Sequence, residues 1–188
     1  MRKPLLSACL AQLAILATAS MAVAATITVN GTVTAGSTLT ATGVGSPTFN
    51  LTLNGVDQTP TYSLPVSVVD ARGLASGATA GWNLTITSTQ FNDGAGHTFP
   101  TTASTMTVVA TACGASSTCT APTNAVSNTN LGIPAASVAP AAVKYENAAA
   151  ATGLGTNTIT ATVQVAVPAN VFAGTYSSTV TVAIVAGP

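Results

Sequence analysis

Apolar residues recur at every second position along most of this chain, and that period fits strands rather than helices. Ile159, Ala161, Val163, Val165 and Val167 form the longest strictly alternating run. Phe49, Leu51 and Leu53 alternate with Asn50 and Thr52, and Tyr62, Leu64, Val66 and Val68 come next. Trp82, Leu84 and Ile86 stand opposite Asn83, Thr85 and Thr87, and Met106, Val108 and Ala110 follow. Ile27, Val29 and Val33 open the series, while Tyr176, Val180, Val182 and Ile184 close it. Successive side chains of a strand point to opposite faces, so each run predicts one buried and one wetted face. Thr and Val also lose rotamer freedom in a helix. Gly, Asn and Pro punctuate the runs as turns do. About seven or more strands with no helices between them predict an all-β fold. The expected architecture is a single antiparallel β-sandwich of the immunoglobulin-like, Greek-key type. Only the Ala-rich stretch 135–151 has a helical composition, and Pro140 restricts it to a short turn at most. Residues 111–158 read as a long, low-complexity excursion between strands.

The beginning of the chain carries a different signal. Arg2 and Lys3 precede an apolar stretch from Leu5 to Ala17, and Ala22-Val23-Ala24 offers a small-x-small cleavage site. Residues 1–24 therefore read as a secretory signal peptide. Ser7, Gln12 and Ser20 interrupt the stretch, which argues against a membrane anchor. The domain from Ala25 to Pro188 is then exported. It keeps Cys113 and Cys119, an even pair, and a disulfide closing their short loop is the expected state. The last strand runs to Gly187-Pro188 with no anchor or sorting signal after it.

Charge excludes several functions. Charged residues make up 4% of the chain, against about 25% in typical soluble domains. Beyond the signal peptide the basic residues are Arg72 and Lys144, and the acidic ones Asp57, Asp70, Asp93 and Glu146. Two cations cannot neutralise a nucleic-acid backbone or build a polybasic membrane patch. Catalytic constellations are equally scarce. His97, the single histidine, lies in the turn Asp93-Gly94-Ala95-Gly96-His97 and reads as an exposed turn residue. No nucleophile elbow, phosphate loop or paired metal ligands accompany it. No catalytic, cofactor-binding or metal-binding residue is expected, and no cofactor.

One dense constellation remains. Asp70, Arg72 and Gly73 are followed, after a loop of small residues, by Gly81, Trp82 and Leu84. Asp70 and Arg72 lie two apart, on one side of an extended chain, and can pair. Trp82 is in phase with Leu84 and Ile86, which suits the core. It also suits an aromatic rim that meets a sugar polymer. Near the end, Tyr176 precedes the last strand and can tie a loop to the sheet in the manner of a tyrosine corner.

In these residues the chain resembles the WxL-domain family of bacterial surface proteins. Asp70, Arg72, Gly73, Gly81, Trp82 and Leu84 match its Asp-x-Arg-Gly and Gly-Trp-x-Leu segments, with Phe91 at the downstream aromatic place. Tyr176, Val180, Val182, Ile184 and Pro188 stand at the spacing of its C-terminal motif, with Val182 where a second Trp is expected. The resemblance implies an exported, non-enzymatic cell-surface domain. Such a domain associates non-covalently with the Gram-positive cell wall through peptidoglycan or another wall polysaccharide. It makes Asp70, Arg72, Gly73, Gly81, Trp82, Leu84 and Tyr176 candidates for wall contact or for the motif's structure. The other reading is a structural subunit that self-assembles into a fibre, coat or surface layer. The uncharged run Ile159–Val167 would serve there if it lay at a sheet edge, and residues 26–34 could act as a donated strand.

Overall fold

The computed structural model describes residues 28–73 and 81–187, and among them nine strands form two sheets. The first sheet has the order β1-β2-β8-β4-β5, with β1 Leu39–Gly43, β2 Thr61–Asp70, β8 Gly155–Val165, β4 Ser104–Cys113 and β5 Leu131–Gly132. The second is built around β3 Trp82–Thr89. On one side β3 pairs with β9 Val180–Ala186, and it also pairs with β7 Val143–Ala148 and the short β6 Ala135–Ala136. Every pairing is antiparallel except β3 with β6. The sandwich lies in the unit Thr34–Pro188. In the preceding unit, residues 28–33 form no strand, contrary to the alternation read there. The expected signal peptide and Ile27 lie outside the described residues.

The core follows from the alternation. Leu64, Val66 and Val68 of β2 and Ile159, Ala161 and Val163 of β8 line the inner face of one sheet. Trp82, Leu84 and Ile86 of β3 and Tyr145 of β7 line the other. Their mutual burial is the main favourable term for such a fold, worth about 1.5–3 kcal/mol per large side chain. Pro65 explains where β1 stops. A proline has no N–H to donate, and the β1 ladder ends at Gly43 opposite Val66, with Val44 N donating to Pro65 O at 3.0 Å.

Four expectations change. First, β3 is buried on both faces, so Asn83, Thr87 and Ser88 are not wetted. Strands flank it on either side, and loop carbonyls cover its outer face: Thr87 Oγ1 donates to Pro140 O at 2.8 Å, and the Asn83 amide bonds Gly187 O. Second, Val108 and Ala110 point outward. The register steps from Met106 opposite Val163 to Val108 opposite Thr162, so Thr107 is an extra residue. Such a bulge reverses the faces beyond it, and Val109 packs on the core instead. Third, the excursion 111–158 contains β5, β6 and β7, and its Ala-rich part supplies a strand, Val143–Ala148. Fourth, Phe49–Leu53 alternates without belonging to a strand. The Ile159–Val167 run is no open edge: β2 and β4 flank β8 along its length.

Candidate functional site

The Asp70–Leu84 constellation gathers at one end of the sandwich as a clamp. Asp70 closes β2 with its carboxylate fully buried. Arg72 approaches it as a fork, Nε to Oδ1 at 2.9 Å and Nη2 to Oδ2 at 2.7 Å. The Arg72 backbone N–H also donates to Oδ1, at 3.1 Å. Paired parallel bonds of this kind are the strong form of a carboxylate–guanidinium contact, and the bond to Asp70 raises the Arg72 pKa. Nη2 also donates to Gly81 O at 2.9 Å, so one guanidinium joins the end of β2 to the start of β3. Gly73, at φ +65°, makes the left-handed turn that follows.

Trp82 opens β3 with no exposed surface. Its indole N–H donates to Gly153 O at 3.1 Å. Gly153 stands at φ +70°, and a Cβ there would lie 2.5 Å from both Trp82 Nε1 and the Ala148 Cβ. The tight turn is thus shaped around the indole. Of the two sequence readings, core packing describes Trp82 and the exposed rim does not; Leu84 is likewise buried. The Cys113–Cys119 disulfide is formed and lies at this end, where Gly155 approaches Cys119. Val182, on β9, stands opposite Ile86 and packs on the same core, so the position expected to hold a second Trp faces inward.

Tyr176 is not part of this clamp. Trp82 pairs with Ala186 and Ser88 with Val180, which puts Tyr176 beyond the far end of β3, where Asn92 bridges Ser177. There the chain collects all four of its phenylalanines. Phe49 lies 6.3 Å from Tyr62 in a stack and 5.8 Å from Phe91 edge-on, and Phe99 sits 5.5 Å from Phe91 and 4.3 Å from Tyr176. Burial pushes the Tyr62 hydroxyl up to about 12. The rings line a groove of about 940 Å³ whose polar lining comes from Thr, Ser, Asn and Tyr, with no charged side chain among the described residues. Its rim carries Phe172, 63% exposed.

The rim is held in place. Tyr176 donates its hydroxyl to Phe172 O at 3.0 Å, a bond four residues back of the tyrosine-corner type expected from sequence. The Phe172 ring stacks on His97 at 3.9 Å. His97 Nδ1 lies 2.6 Å from Asp93 Oδ2, and that bond first of all holds the Asp93 carboxyl below its usual range. His97 is therefore half-buried and engaged rather than a free turn residue. Sequence reading missed this end because Phe49, Phe91 and Phe172 come from distant stretches. The available signal was scarcity: aromatic residues are 4% of the chain, and most of them meet here.

The arrangement sets apolar ring faces beside uncharged hydrogen-bonding groups. A model of the WxL domain, described as surface cell wall-binding, matches residues 47–188. No curated protein and no solved structure matches the chain.

Proposed function

Because the chain belongs to the WxL family of surface, cell-wall-binding domains, we propose that it holds the wall through peptidoglycan, non-covalently and without catalysing a reaction. The protein is a secreted one of the cell surface, located at the wall. The observation that carries the proposal is the extent of the family match, from Pro47 to Pro188. It takes in both the Asp70–Leu84 motif and the last strand. The inward setting of Val182 supports the same reading. A Val there packs against the core beside Ile86, so the position belongs to the inner face of its strand. The one histidine bonds Asp93 through Nδ1 and stacks on the Phe172 ring, which gives it a structural use at the groove rim.

The test mixes purified protein with isolated sacculi, sediments them, and assays the supernatant for released fragments. The expected result is protein in the pellet and no soluble peptidoglycan fragments. Protein left in the supernatant would remove the wall-binding reading for this chain. Fragments released in proportion to added protein would make it a hydrolase instead.

A further inference from the structure

We propose that the aromatic end of the sandwich, not the Trp82 end, is the wall contact, and that it takes the uncharged glycan strand of peptidoglycan with a sugar ring seated on Phe172. The inference rests on the wall-binding reading and assigns its site and ligand chemistry.

Three observations carry it. The first is the exposed ring. A Phe that is 63% exposed contributes little to the core, yet Phe172 is fixed through its His97 stack and through the Tyr176 hydroxyl on its backbone. A ring held in position before its ligand arrives loses little freedom on binding. The C–H face of a pyranose packs on such a ring while its hydroxyl and acetamido groups need hydrogen-bonding neighbours.

The second observation is the lining. Thr48, Asn50, Thr52, Ser177 and Ser178 offer uncharged donors and acceptors around the groove. Its volume, about 940 Å³, falls within the range of ligand sites, about 300–1,000 Å³. A second depression of about 490 Å³ adjoins it and shares Thr175, Ser177 and Ser178. Two depressions with a shared wall suit a polymer better than a single small molecule.

The third observation is charge. A phosphate-rich wall polymer would need cations, and among the described residues none lines either depression. Arg72 is committed to Asp70 at the other end of the sandwich. The acid beside the smaller depression, Asp93, would repel an anion. The groove thus offers a polyanion no counter-charge and favours an uncharged glycan as its ligand.

The experiment compares wild type, Phe172→Ala, Phe172→Trp and Trp82→Phe. Each is sedimented with sacculi and titrated with β-1,4-linked N-acetylglucosamine oligomers, an uncharged glycan with the same ring faces and acetamido groups, and with poly(glycerol phosphate). Phe172→Ala should bind glycan about ten-fold more weakly, the loss of one stacking contact. Phe172→Trp should retain binding, and Trp82→Phe, once shown to be folded, should bind as wild type does. Equal glycan binding by wild type and Phe172→Ala overturns the site while leaving wall binding intact. Sedimentation with sacculi but no binding to free glycan overturns the ligand, as does preference for poly(glycerol phosphate). A Phe172→Ala effect on self-association alone would put a second copy of the chain in the groove and overturn the proposal. Failure of wild type to sediment at all removes the wall-binding reading, and this one with it.

Discussion

Trp82 and Gly153 show how a single residue choice fixes the end of the sandwich. The Gly153 carbonyl accepts the indole N–H, and the space where its Cβ would stand is filled by the indole and by Ala148. Gly153→Ala combines a left-handed backbone with overpacking, and should cost roughly 2–4 kcal/mol. Trp82 is the only tryptophan, so its fluorescence through a urea titration reports the midpoint directly. An unchanged midpoint would mean that the turn relaxes freely and does not hold the indole. Glu146 makes a second prediction. Burial pushes its carboxyl up to about 7, partly offset by the bond from the Asn128 amide at 2.9 Å. The folded state then binds its proton more tightly than the unfolded state, whose carboxyl titrates near 4.5. Unfolding releases that proton between these values, so this group's contribution to stability falls as pH rises from about 4.5 through about 7. Asp93 acts in the opposite sense, but only as pH falls through and below the carboxylate range. Stability measured from pH 5 to pH 8 should decline more steeply in wild type than in Glu146→Gln. Parallel curves would show that Glu146 is not the group responsible.

At the scale of elements, the bulge in β4 decides which valine matters. Val109 packs on the core and Val108 is 55% exposed, although the simple period assigns them the reverse. Val109→Ala should destabilise by about 1–2 kcal/mol and Val108→Ala by less than about 0.5 kcal/mol, as read by thermal or urea unfolding. The reverse order would mean that the strand runs without its bulge. This is also where sequence reading reached its limit. β2 and β8 were legible because their alternation is unbroken and their inner faces meet only apolar neighbours. An inserted residue such as Thr107 has no signature in a Thr-rich strand. β7 was illegible for another reason. Its Tyr145, Glu146, Asn147 and Ala148 are all buried, so no polar–apolar alternation marks it. Its polar groups are met by a segment that looks featureless in sequence. Asn147 N donates to Asn124 Oδ1 at 3.1 Å, and Ala125 N donates to Asn147 Oδ1 at 2.7 Å. The Asp70–Arg72 pair was legible from spacing alone, because an i,i+2 pair needs no tertiary information. The aromatic groove was not, because its rings converge only after the sheets have formed.

For the whole molecule, the placement of charge separates the two ends and limits how the protein can adhere. The motif end consumes Arg72 in holding β2 to β3. The aromatic end holds Asp93 and, in the neighbouring loop, Asp57, whose Oδ1 accepts the Ala169 N–H at 2.9 Å. Lys144 is the other described cation, and it lies on β7 rather than in either depression. Attraction between a basic protein and an anionic wall is therefore not available as the binding force. Ring stacking and neutral hydrogen bonds remain, and added salt screens neither. Sedimentation with sacculi should accordingly change by less than about two-fold between about 0.05 M and 0.5 M sodium chloride, a range over which the Debye length falls from above 10 Å to well below it. A contact carried by exposed ion pairs would weaken many-fold across the same range. A steep loss of binding would put the contact on Lys144 or on residues outside the described structure. A flat response, together with the Phe172→Ala loss, would tie adhesion to the aromatic end of the fold.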